Sequence, residues 1–117
     1  MIKDDQRIKY LGFLPEEKIV ETYNSFDVYL STSTVEGFGL PIMQSKACKV
    51  PVLCYDGEIP EIVKRNTLLW NDDNLSEIIK NRVWEKVDVE KAYLDAEECR
   101  ADKVMPKIIE VYKKVFE

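Results

Sequence analysis

Ser33–Val52 reads STVEGFGLPIMQSKACKVPV. The apolar run before it, DVYLSTS from Asp27 to Ser33, gives way to Glu36-Gly37-Phe38-Gly39, then Pro41, and a helix-like pattern begins. Pro41 suits the first helical position, where a missing N–H costs nothing. Gly37 and Gly39 allow positive φ and let a ligand approach the backbone with no β-carbon in the way. The amides from Phe38 to Leu40, with the positive end of the helix dipole, make an anion site. The same glycines also suit a tight strand-to-helix turn that binds nothing, and the pattern alone leaves both readings open.

Working outward, strand and helix signals alternate. RIKYLGF, Arg7 to Phe13, is apolar at Ile8, Tyr10 and Leu11 and reads as a first strand over Ile8–Leu11. A helix from about Pro15 to Asn24 follows, its proline and Glu16-Glu17 suited to a first turn and its Ile19, Val20 and Tyr23 on one face. Val28–Ser31, Val52–Tyr55 and Leu68–Trp70 read as further strands, the first two apolar enough to be interior strands of a parallel sheet. Short helices are predicted near 60–65 and 74–80, and a helical pattern from Asp88 onward. Pro106 implies either a break near Ala101–Asp102 or a new helix with the proline in its first turn. The apolar stripe Ile108, Ile109, Tyr112, Val115 and Phe116 is expected to pack into the core.

Strands separated by helices with short links define an α/β domain with a mainly parallel sheet and right-handed crossovers. No linker, repeat or low-complexity stretch divides residues 1–117, so a single domain is expected. The Ser33–Val52 stretch then lies past the carboxyl end of a strand, where open parallel sheets bind ligands.

Composition narrows the function classes. Seventeen basic and 22 acidic residues give a net charge of −5 with no basic tract, so no nucleic-acid footprint is visible. No apolar run reaches the roughly 18 residues of a membrane span, and the start MIKDD lacks the form of a signal peptide, so a cytoplasmic protein is expected. There is no histidine, and Cys48, Cys54 and Cys99 lack metal-ligand spacing, so no metal is expected.

The run VEGFGLPIMQSKACKVPVLCYDGEIPEIV, with IKYLGFLPEEKIVETYNSFDVYLSTS before it, resembles the carboxyl-terminal domain of retaining GT-B glycosyltransferases of the group 1, family 4 type, which transfer hexoses from nucleotide sugars. The match is close over about Ile8–Val63 and looser beyond. It implies a Rossmann-like three-layer domain, part of the carboxyl-terminal half of a GT-B fold. It also implies donor binding: Glu36, the catalytic-site acid, on the sugar hydroxyls; the backbone of Gly37, Phe38, Gly39 and Leu40 on the diphosphate; and position 44 on the ribose. No cofactor beyond the nucleotide-diphospho-sugar substrate is implied.

The chain departs from the family at three places. Gln44 stands where a second acid is usual, which loses charge-assisted bonds to the ribose. Lys49 replaces a helix-ending glycine, and Glu58 replaces the second of two glycines, where its bulk narrows the donor cleft. Glu61 equally suits a helix first turn. For Glu36 a solvated loop acid, and for Gln44 a solvated helix residue, are the plain alternatives. The acceptor domain and the family's basic phosphate-binding pair are expected to lie outside this chain, making it inefficient alone. A homo-oligomer or partner chain is then expected; a non-catalytic nucleotide-sugar-binding or protein-association module is the alternative.

Overall fold

The computed structural model describes residues 5–117. Three parallel strands, β1 (Tyr29–Ser31), β2 (Val52–Tyr55) and β3 (Leu68–Trp70), lie in the order β1-β2-β3. Tyr29 pairs with Val52, and Leu53 with Leu68, which fixes the register. Side chains alternate across the sheet, as a period of two requires. Tyr29, Val52, Cys54 and Leu69 face Ile42, Met43, Ile59 and Val63 on one side. Val28, Leu53, Leu68 and Trp70 face Ile78 and Trp84 on the other.

Helices α2 (Leu40–Ala47), α3 (Glu61–Lys64) and α5 (Val89–Glu98) belong to the first side, where α1 (Glu16–Asn24) joins them by setting Tyr23 against Tyr29; α4 (Leu75–Lys80) and a 3-10 turn (Val83–Lys86) cover the second. This is the expected three-layer α/β arrangement. The helix ends follow local chemistry: Pro15 precedes α1 with φ −60°, and Asp88 Oδ1 accepts from the Lys91 N–H at 3.0 Å to open α5.

The expected first strand is not there. Ile8–Leu11 has no strand partner, and Tyr10 is almost fully exposed. A strand exists only by pairing, and here the nearby hydrogen bonds are local: the Ile8 N–H donates to the Asp5 carbonyl at 3.0 Å, and Arg7 pairs with the Asp5 carboxylate. Gly12, at φ 66°, then turns the chain towards α1. The second edge of β1 is consequently unpaired among the described residues, and Leu30 on it is 39% exposed.

At the end of α2, Lys49 does adopt the left-handed conformation, φ 56°. Its N–H donates to the Lys46 carbonyl at 2.9 Å and the Val50 N–H to the Ser45 carbonyl at 3.0 Å. These two bonds close a Schellman motif, which offsets the ~1 kcal/mol that a β-carbon costs there.

Lys46, in the same helix, is completely buried. Its ammonium donates to the Val63 carbonyl at 2.8 Å and to the Arg65 carbonyl, and lies 3.8 Å from Asp95 Oδ2 of α5. Asn66 Nδ2 donates to the same carboxylate oxygen at 2.8 Å. One buried cation thus ties α2 to the α3–β3 turn and to α5.

The carboxyl-terminal pattern divides at Cys99–Arg100, and α6 (Ala101–Phe116) follows. Pro106 sits inside α6 and not in its first turn, so the Asp102 carbonyl has no helical N–H partner. The expected core role of the α6 stripe fails as well. No residue of α6 is buried, and Phe116 is 83% exposed.

Candidate functional site at the carboxyl edge of the sheet

The loops that leave β1 and β2 are joined at the carboxyl edge of the sheet. Trp70 Nε1 donates to the Ser31 carbonyl at 3.1 Å and pins the end of β1 across the sheet. Beyond it, Val35 and Glu58 form a parallel bridge. The Glu36 N–H donates to the Glu58 carbonyl at 3.0 Å, and the Glu58 N–H to the Thr34 carbonyl at 2.9 Å. The backbone at Glu36 is therefore fixed by a neighbouring loop, although its own loop has no regular structure. Glu58 itself is exposed.

Glu36 is half-buried. Glu36 Cβ would lie 3.9 Å from a β-carbon on Gly39, beside Ile42 and Val63 of the first side. Burial, with the Glu36 charge adding to it, raises the Tyr29 phenol and the Cys54 thiol above their ordinary values.

Gly39 opens α2 with φ 85° and ψ 52°, a left-handed conformation that favours glycine. Its carbonyl accepts from Ile42 at 3.0 Å and Met43 at 3.2 Å, and no side chain caps the helix. Leu40 is the first helical residue and Pro41 the second, one position later than the sequence reading. A β-carbon on Gly39 would lie 3.3 Å from Ile42 Cδ1 and 3.4 Å from Val63 Cγ1, so packing also restricts this position. Gly37 differs from expectation: its φ is not positive, and nothing lies within 4 Å of where a β-carbon would be. Its smallness leaves space open; it does not make the turn.

Gln44 faces α1. Its Oε1 accepts from the Tyr23 hydroxyl at 3.3 Å. It borders a cavity of about 380 Å³ whose walls include Phe13, Ile19, Tyr23, Phe26 and Tyr29. Glu36 is not among the residues lining that cavity. Rings meet edge-to-face there, Tyr23 to Tyr29 at 5.7 Å and Tyr23 to Phe26 at 6.0 Å. Burial, with smaller help from Tyr29 and Cys48, pushes the Tyr23 phenol up to about 12.

That shift has a sign. The unfolded phenol ionises near pH 10, whereas the folded one stays neutral to about 12. The stabilisation is full below pH 10 and lost as pH rises from 10 through 12. Tyr23→Phe is expected to flatten the fall in stability across that window, measured as denaturant midpoints; an unchanged slope would contradict it.

Sequence reading missed the Lys46–Asp95–Asn66 cluster, whose members lie too far apart in the chain for spacing to link them. It also missed Arg100, which borders a shallow apolar surface with Phe38 and Leu40 and is itself paired with Glu97 and Asp102. Among the described residues, no group of His, Cys, Asp or Glu is placed to hold a metal ion, and no helix is long and apolar enough to cross a membrane.

Comparison with known proteins gives a family match: residues 4–85 match the model of "Glycosyl transferases group 1". The O-antigen chain mannosyltransferase B of Escherichia coli is 26% identical over 114 residues, covering 91% of this chain and 30% of that protein. The serotype-specific mannosyltransferase WbdA of Escherichia coli is 27% identical over 85 residues, covering 72% of this chain and 10% of that protein. The chain spans under a third of the length of these relatives.

Proposed function

This chain belongs to the group 1 glycosyl transferases, and we propose that it forms the donor-binding part of a retaining enzyme that takes a hexose from a nucleotide-diphospho-sugar. The observation that carries the reading is the uncapped, left-handed Gly39 opening α2 at the carboxyl edge of a parallel sheet, three residues after the anchored Glu36. Such a helix start offers amides and a positive dipole end to a diphosphate. In this reading Gly37, Phe38, Gly39 and Leu40 hold the diphosphate through their backbone. Glu36 accepts from the sugar hydroxyls, and Gln44 meets the ribose. The aromatic cavity beside Gln44 suits a planar base. The names of the relatives make mannose the first sugar to test.

Two expectations follow from the side chains present. A glutamine bonds ribose more weakly than a carboxylate does, so Gln44→Glu is expected to gain about fivefold in affinity. Glu36→Ala is expected to weaken nucleotide sugars more than the bare nucleotide diphosphates. The test is a thermal-shift and calorimetric panel of nucleoside diphosphates, alone and carrying mannose or glucose, on the wild type and both variants. Should neither variant alter its titration, donor binding would be abandoned. A module that serves association is the second reading, favoured by the edge of β1 that is unpaired among the described residues and by exposed Leu30. Efficient transfer needs strong stabilisation of the diphosphate leaving group. In this reading that stabilisation, like the acceptor site, comes from protein beyond the present chain, in a partner or a longer polypeptide.

A further inference from the structure

Gly39 and Lys46 stand at opposite ends of α2, about 10 Å apart along its axis, and one residue of α3 meets both. A β-carbon on Gly39 would lie 3.4 Å from Val63 Cγ1, while the Val63 carbonyl accepts from the Lys46 ammonium at 2.8 Å. Val63 is itself wholly buried, and its N–H donates to the Pro60 carbonyl at 2.9 Å. Earlier in the same segment, the Glu58 carbonyl accepts from the Glu36 N–H at 3.0 Å. The chain from Glu58 to Arg65 therefore holds the Glu36–Lys46 stretch at the anchored acid, at the start of α2 and at its last turn.

Stability alone does not call for a lysine here. Replacing a buried ion pair by apolar side chains of similar volume is often neutral or stabilising, since no charge then has to leave water. What an apolar side chain lacks is direction. The ammonium donates to the Val63 and Arg65 carbonyls, and such bonds weaken steeply with length and angle, whereas apolar attraction is non-directional and tolerates small slides. Asp95 supplies the counter-charge from α5 at 3.8 Å and is bonded to Asn66, not to the start of α2. Lys46 thus sets a position, and Asp95 offsets the cost of its charge.

We infer that Lys46 is a positioning residue for the donor site: by tying the last turn of α2 to the residue that packs against Gly39, it sets where the Phe38–Leu40 backbone stands relative to Glu36, and hence to a diphosphate. The inference rests on the donor-binding reading above. Lys46 is fully buried, so it acts through Val63 and not by touching the phosphates.

The test sets stability against affinity in the full chain, by urea unfolding and by calorimetric titration with uridine and guanosine diphosphates. Asp95→Asn leaves a buried ammonium without its counter-charge and is expected to be the less stable variant. Its lysine nitrogen still donates to both carbonyls, so diphosphate affinity is expected to stay within about twofold of wild type. Lys46→Met combined with Asp95→Asn buries no charge and is expected to be the more stable of the two. It is nonetheless expected to lose about tenfold in diphosphate affinity, the worth of one charge-assisted hydrogen bond moved out of place. A purely structural lysine would make affinity follow stability, and tight binding by the double variant would overturn the inference. A second measurement needs neither ligand nor a folded Asp95→Asn. The Ile42 and Met43 amides bond to the Gly39 carbonyl at 3.0 and 3.2 Å, and in the double variant they are expected to exchange hydrogen about tenfold faster relative to Leu53 of β2. Unchanged relative exchange would overturn the positioning role itself. Wild type that binds neither nucleotide, beside faster exchange in the double variant, would instead overturn the donor-binding reading and the assignment to a diphosphate with it.

Discussion

Lys46→Met is expected to destabilise the domain by about 3–5 kcal/mol, a large share of the 5–15 kcal/mol typical of a small domain. Methionine keeps most of the volume and removes only the ammonium. The Thr67 hydroxyl, 2.9 Å from the Val63 carbonyl and 3.2 Å from the Arg65 carbonyl, has one hydrogen and can donate to only one of them at a time. Asp95 fares worse. Its side chain is 9% exposed, and without Lys46 its charge is left with the Asn66 amide alone. Burial lowers the Lys46 pKa, with the Asp95 charge opposing the shift, so the pair is held together against a real desolvation cost.

It follows that Lys46→Met combined with Asp95→Asn should recover at least half of the loss. The amide can still accept from Asn66, and no charge remains to be buried. A double-mutant cycle by urea unfolding measures this. Single-variant losses that simply add in the double variant would show that the cluster does not act as a unit.

Gly57→Ala is expected to cost about 3 kcal/mol and to disturb the site. A β-carbon at this position would overlap the Thr34 carbonyl oxygen and lie 3.0 Å from its carbon. Both atoms belong to backbone, so no side chain can move aside. The loops would have to separate, breaking the Val35–Glu58 bridge and the bond that holds the Glu36 N–H. Denaturant midpoint and nucleotide titration should therefore fall together. Normal stability with normal binding would mean that the close approach of the two loops is dispensable.

By itself the sequence determined that the domain is α/β, that strands lie at 52–55 and 68–70 and, to within one residue, at 28–31, where β1 begins at Tyr29, and that a glycine-opened helix follows β1. These are local matters: apolar β-branched runs, a proline near a helix start, and a glycine where φ is positive each act over a few residues. It also carried enough of the family's pattern to identify the group. Tertiary structure alone decided whether Ile8–Leu11 is a strand, since pairing requires a partner at its edge. Only tertiary structure could send the α6 stripe to solvent, because a helical apolar pattern shows that a face exists and not what covers it. The same holds for Lys46. In the sequence it is one of seventeen basic residues, and it becomes a buried tie only because folding brings Val63, Arg65 and Asp95 around it. Glu36 and Gln44, eight residues apart, separate for this reason as well: one is fixed by a loop from β2 and the other by a tyrosine of α1, and neither contact is local in the chain.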